Sequence, residues 1–181
     1  MKFERPQHII IQSALQSMDA AFLQRSNCYF GGGTAIVLMN GEYRLSLDVD
    51  FLCADIDGYR DLRSAIRDGG AHAVFGAHIE TVREFKADQY GIRGVVSLEG
   101  QPIKFEIVRE ARIPLDGALV EGLGVPVLTI ESQFSEKAPG QRRSLLGQIR
   151  RLPRRDRPWL SRQGMRFYTG VVYRGGGAGL W

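Results

Sequence analysis

Two acidic residues stand where apolar ones would be expected. In the run Leu45-Ser46-Leu47-Asp48-Val49-Asp50-Phe51-Leu52-Cys53, Asp48 and Asp50 are spaced i,i+2. A strand turns residues at that spacing to one face, which sets the two carboxylates side by side. Like charges so placed repel, and in apolar surroundings the arrangement is unfavourable unless a cation or ligand pairs them. The chemistry this points to is binding of a hard divalent cation through carboxylate oxygens.

Upstream, Gly31-Gly32-Gly33-Thr34-Ala35 follows a short apolar segment. Glycines let the backbone approach a ligand closely, and amides at a following helix N-terminus make a nest for phosphate. Geometry alone also calls for glycine in a strand-to-helix turn. No Gly-Lys-Ser/Thr follows, so this is not a Walker A loop, and it is not a dinucleotide fingerprint. Arg44 and Ser46 lie just before the acids. Arg44 can reach a triphosphate or pair with an acid; the alternative is a solvated arginine at a strand end. Ser46 has the parity of Asp48 and Asp50.

A third carboxylate is expected from a neighbouring strand. In residues 102–109, PIKFEIVR, alternation puts Phe105 and Ile107 on one face and Lys104, Glu106 and Val108 on the other. A carboxylate in mid-strand is unusual without a partner. Asp48, Asp50 and Glu106 on adjacent strands would hold one or two magnesium ions, which bridge phosphates and lower the pKa of an attacking hydroxyl. The competing reading is a sheet edge with solvated acids. Asp55 and Asp57 fit a loop and helix cap, and no calcium-loop pattern is present. His72 and His78 have no further histidine or cysteine at metal spacing and are read as structural or surface residues.

The elements that must position these groups follow from periodicity. Residues 7–25 read as one amphipathic helix, with Pro6 in its first turn. Residues 27–30 feed the glycine turn. Thr34 would cap a short helix from Ala35 to Met39, ended by Asn40-Gly41. Leu45 to Cys53 reads as a buried, central strand. Residues 57–70 read as a helix with Tyr59, Leu62 and Ile66 on one face, stopped by Gly69-Gly70. Residues 71–90 read either as two short strands or as a strand and a helix, with strand character favoured at the beginning and end. Residues 92–98 and 102–109 flank Glu99-Gly100-Gln101 and predict a hairpin. Short strands follow within 113–121 and at Val125 to Leu128. Thr129 then caps a helix with Ser132 following and Phe134 on its apolar side. Helices among strands predict an α/β (α+β) fold, a mixed twisted sheet with flanking helices.

The chain has 181 residues and is 44% hydrophobic, enough for one domain with a core. Cys28 and Cys53 sit in apolar stretches and are expected as reduced, buried thiols of a cytosolic protein. The first residues do not form a signal peptide, and no apolar window reaches the length of a membrane span. A cytoplasmic protein with no membrane partner is expected.

The formal net charge of +4 is unevenly spread. Residues 1–137 hold 14 Lys or Arg against 19 Asp or Glu, whereas residues 138–181 hold ten Arg, no Lys, one Asp and no Glu. The second segment is rich in Arg, Gly and Pro and lacks a sustained amphipathic period. The expected organisation is one domain over 1–137 and an atypical Arg/Gly-rich tail over 138–181, poorly ordered or out of frame. Such a tail could also serve as a nucleic-acid arm.

The string Phe30-Gly31-Gly32-Gly33-Thr34-Ala35, followed by Arg44 and Ser46-x-Asp48-x-Asp50-Phe51, resembles the nucleotidyltransferase-like family of the AbiEii toxins. Those belong to the polymerase-β-type nucleotidyltransferase superfamily. Gly32 to Ala35 match its glycine motif, and Asp48 and Asp50 its metal-binding acids. Glu106 falls at its third acidic position, and Lys137 matches a lysine that contacts the nucleotide. The resemblance covers roughly residues 8–137.

It implies magnesium-dependent transfer of a nucleoside monophosphate from a nucleoside triphosphate to RNA, tRNA among the acceptors, or to protein, by a toxin partnered with a cognate antitoxin. Asp48, Asp50, Glu106 and Lys137 are the implied catalytic residues. Gly32, Gly33, Thr34, Arg44 and Ser46 form the nucleotide cradle. The family continues with a helical region carrying Arg-Asp-x-x-Asp; here Arg155-Asp156 is followed by Arg157-Pro158. A single-nucleotide frameshift in a GC-rich gene would produce the charge change and the lost motif together. The alternatives to an active enzyme are a non-catalytic remnant that binds nucleotide or a partner, and an RNA-binding protein acting through the tail.

Overall fold

The computed structural model describes residues 1–76, 79–110, 112–129 and 132–133. Phe134, Lys137 and the 138–181 tail lie outside the described residues, as does His78. The chain opens with α1 (Pro6–Gln16) and α2 (Ala20–Arg25), then β1 (Cys28–Gly31), α3 (Gly32–Met39), β2 (Val49–Cys53) and α4 (Ile56–Gly69). Strands β3 (Glu80–Ala87), β4 (Gly91–Leu98), β5 (Gln101–Arg109), β6 (Gly117–Val120) and β7 (Val125–Leu128) follow. The seven strands form one sheet in the order β3-β4-β5-β2-β1-β7-β6, with β2 in the middle. β2 runs parallel to β5 and β1 parallel to β7, and the remaining pairs are antiparallel. This is the mixed α/β architecture expected from the sequence. Among the described residues, no helix is long and apolar enough to cross a membrane.

Alternation along the central strands separates two faces. Phe51, Phe105 and Ile107 are fully buried, while the intervening Asp50 and Glu106 remain partly accessible. Phe30 and Phe51 are register partners with ring centroids 5.5 Å apart, and Phe105 continues the row at 5.7 Å from Phe51. Phe75 closes it with an edge-on contact at 5.0 Å. Full burial of a phenylalanine contributes roughly 1.5–3 kcal/mol, so this row is a main anchor of the core. α4 adds Tyr59, Leu62 and Ile66 from one face, as its spacing predicts. The Asp55 side chain caps it by accepting from the Gly58 N–H at 2.7 Å.

Four local expectations are corrected. The single helix over 7–25 is two helices: the Asp19 N–H donates to the Val74 carbonyl, the Gly76 N–H to that of Ser17, and Met18 bridges Phe75. The Asp19 side chain then starts α2 by accepting from the Phe22 N–H. The helix after the glycine turn begins at Gly32 rather than Ala35, so Thr34 lies inside it and is not its cap. The strand expected from Leu45 starts only at Val49, because 45–48 take no ladder partner. Residues 70–73 form a 3-10 turn, and strand structure within 71–90 is confined to β3. The hairpin forms with register Leu98↔Gln101, its turn taking φ +51° at Glu99 and +77° at Gly100.

Candidate nucleotide and metal site

β1 delivers the chain directly into α3, and this junction is where the predicted residues gather. Gly31 is the register partner of Asp50 across β1 and β2. Gly32 follows with φ +70°, a left-handed conformation that glycine adopts without steric cost. A Cβ on Gly32 would fall 2.6 Å from Asp50 Oδ2, and one on Gly33 would fall 2.8 Å from Arg44 Nη2. The two glycines therefore leave room for a carboxylate and a guanidinium to approach the start of a helix. There the first amide N–H groups have no intrahelical acceptor and favour negative charge. Thr34, almost fully buried, places Oγ1 2.9 Å from Ser46 Oγ. Gly32, Gly33, Thr34, Arg44, Ser46 and Asp50 thus share one corner of the sheet.

Glu106 is brought to the same corner by long-range pairing. In the parallel ladder of β2 and β5 it is the direct partner of Asp50, so both carboxylates project from one face of neighbouring strands. Glu106 already has a cationic neighbour: Arg93 Nε donates to its Oε1 at 2.6 Å, and Arg93 Nη1 lies 3.6 Å from Asp88 Oδ2. Asp48 sits exposed just ahead of β2. Among the described residues, no group of three or more histidines, cysteines or acids is arranged to hold a metal ion. The three-carboxylate cage expected from the sequence is therefore not assembled on its own. Two in-register carboxylates and a flanking aspartate suit a magnesium ion that arrives with phosphate oxygens, since magnesium commonly takes one or two carboxylates plus substrate phosphates.

Two contributors were not singled out from the sequence, and each left a signal. A two-residue turn at Glu99-Gly100 fixes the hairpin register, and that register puts Arg93 opposite Glu106. His8, fully buried, shares the helical spacing of Ile11 and Leu15 on the inner face of α1. Lys137 lies outside the described residues.

The sequence matches the family described as nucleotidyl transferase AbiEii toxin of type IV toxin–antitoxin systems, over residues 13–139. Among solved structures, JHP933 from Helicobacter pylori aligns with TM-score 0.44 and 17% identity, covering 74% of this chain and 56% of that one. TM1012 from Thermotoga maritima aligns with TM-score 0.42 and 14% identity, covering 81% of this chain and 92% of that one. The chain thus spans about half the length of the H. pylori protein. A search of curated proteins gave no match.

Proposed function

The chain belongs to the AbiEii nucleotidyl transferase toxin family of type IV toxin–antitoxin systems, and we propose that it transfers a nucleoside monophosphate from a nucleoside triphosphate to an RNA acceptor, with magnesium. The observation that carries this reading is the contact of Gly32 with Asp50 and of Gly33 with Arg44 at one helix start. That close approach puts an acid and a guanidinium beside the first amides of one helix, and it supports reading the turn as a phosphate cradle. In the reaction, the oxygen of an acceptor hydroxyl bonds to the α-phosphorus. The bond from that phosphorus to the bridging oxygen of the β-phosphate breaks, and pyrophosphate leaves. The acceptor proton passes to a carboxylate of the cluster. Asp48 and Asp50, with Glu106, would hold magnesium, which when bound neutralises phosphate charge and lowers the pKa of the attacking hydroxyl. The amides of Gly32 and Gly33, with Arg44, would hold the β- and γ-phosphates. Lys137 would neutralise charge that develops on the leaving group. A tRNA acceptor and a partner antitoxin in the cytoplasm complete the proposal.

The test is to incubate the full chain with each labelled nucleoside triphosphate, magnesium and total RNA, beside a variant carrying Asp48→Ala and Asp50→Ala. Transfer by the wild type alone supports the site. Transfer that survives the double substitution overturns it.

One observation favours a second reading, a remnant that binds nucleotide without transfer. The family match ends at residue 139, where an acidic body gives way to a tail with ten Arg and one Asp. Resequencing the gene tests whether a frameshift produced that change. An alternative frame beyond codon 137 that encodes an amphipathic helix with Arg-Asp-x-x-Asp supports the frameshift, and its absence in every frame refutes it. Nucleotide binding without transfer in the assay above supports the remnant, and transfer refutes it.

A further inference from the structure

Resting on the nucleotide-site reading above, we propose that His8 is a positioning residue for that site, clamping the backbone of Ser46 to the turn at Glu42. His8 is 0% exposed, and both of its ring nitrogens are engaged. Nδ1 lies 2.7 Å from Glu42 Oε1, and the Ser46 backbone N–H donates to Nε2 at 3.3 Å. A backbone N–H can only donate, so Nε2 is the acceptor and carries no proton. The ring proton therefore sits on Nδ1 and is donated to the Glu42 carboxylate. The two partners select one neutral tautomer.

Glu42 is a firm anchor for this clamp. Its Oε2 accepts from the Glu4 N–H at 2.6 Å, and its Oε1 accepts from the Arg5 N–H at 3.2 Å. Arg5 Nε returns a bond to the Glu42 carbonyl at 3.1 Å. Its backbone is held at φ +52°, a left-handed conformation uncommon outside glycine. Burial alone would push the Glu42 carboxyl up, but the bonds from Glu4, His8 and Arg5 together hold it below its ordinary value.

What the clamp holds in place has no ladder of its own. Residues 43–48 belong to no helix or strand, yet they carry Arg44, Ser46 and Asp48. Ser46 is fixed twice, at its backbone by His8 and at its hydroxyl by Thr34. Arg44 and Asp48 stand two residues to either side. An imidazole that never touches the nucleotide thus sets where the guanidinium and the first acid stand relative to the glycine turn.

The experiment uses the full chain and two substitutions. In His8→Gln the side-chain amide oxygen reaches the Nε2 position and keeps an acceptor for Ser46. In His8→Asn the amide reaches only the Nδ1 position and keeps the bond to Glu42. The readouts are hydrogen exchange at the Ser46 amide and affinity for each magnesium nucleoside triphosphate. Expected is a protected Ser46 amide in wild type and His8→Gln. In His8→Asn, exchange should be roughly tenfold faster and nucleotide binding roughly tenfold weaker, the factor one hydrogen bond supplies. Exchange at Phe51 and Ile107 should not change. Equal Ser46 exchange in the two variants, or an unprotected Ser46 amide in wild type, overturns the proposal. Nitrogen NMR of wild-type His8 decides independently of any variant: an Nδ1–H ring supports the clamp, and an Nε2–H ring or an imidazolium overturns it. If wild type shows the protection but binds no triphosphate, the nucleotide reading fails while the clamp stands.

Discussion

Gly32 stands against Asp50 so closely that a Cβ would come within 2.6 Å of Oδ2 and 3.0 Å of the Asp50 Cβ, at a φ of +70°. The contact joins the glycine turn to the acid strand, and it makes glycine obligatory for two reasons at once. Gly32→Ala should destabilise the fold by about 1–2 kcal/mol from the left-handed backbone alone. It should also displace the Asp50 carboxylate and, on the proposed function, abolish nucleotide binding. Urea denaturation paired with triphosphate titration checks both, and wild-type affinity in this variant would argue against the cradle.

The Arg93–Glu106 pair yields a prediction of opposite sign. With Arg93 48% exposed, its loss should change stability by no more than about 1 kcal/mol. Arg93→Gln removes the cation that now satisfies Glu106 and makes that carboxylate more available to magnesium. The magnesium concentration for half-maximal nucleotide transfer should therefore fall. A rise would mean that Arg93 itself serves the phosphates.

Glu42, Glu110 and Asp88 are held below the ordinary carboxyl value, and acid sensitivity should concentrate at the buried or partly buried two, Glu42 and Glu110; Asp88 accepts from the Tyr90 and Gly91 N–H groups at the surface. Glu110 is lowered chiefly by its side-chain bond to Arg112, against the opposing effect of burial. Because both carboxyls lie below their unfolded value in the folded chain, the stability they supply is complete above that value, ~4.3. It is lost as pH falls through the folded value. Glu42→Gln should lower stability at neutral pH by about 1–2 kcal/mol. It should also flatten the acid limb of a urea-unfolding series, and an unchanged acid limb would contradict the role given to Glu42.

Cys28 and Cys53 are register partners on β1 and β2, free and fully buried. Burial pushes the Cys28 thiol well above its ordinary range, and the neighbouring Cys53 adds to the rise. A reagent must also reach the sulfur, and both residues are fully buried, so a disulfide reagent at neutral pH should label neither in the folded chain and both in urea. Labelling faster than global unfolding would show that β1 and β2 open locally.

The sequence by itself determined the short-range features. The parity that sets Asp50 and Glu106 apart from Phe51, Phe105 and Ile107 follows from strand geometry alone. So do the Glu99-Gly100 hairpin, the Asp55 cap and the glycine turn, because each depends on sterics and hydrogen bonds within a few residues. It left open what depends on chain closure. Residues 74–76 break the first helix by taking the hydrogen bonds of Ser17 and Asp19. The β2–β5 ladder sets Asp50 beside Glu106 across 56 positions of sequence. β4 then supplies Arg93, and α1 supplies His8 to a loop 38 residues away. Local pattern specifies which face a side chain takes. Which distant groups share that face is decided only when the whole sheet buries its core, because burial selects the strand partners and their register.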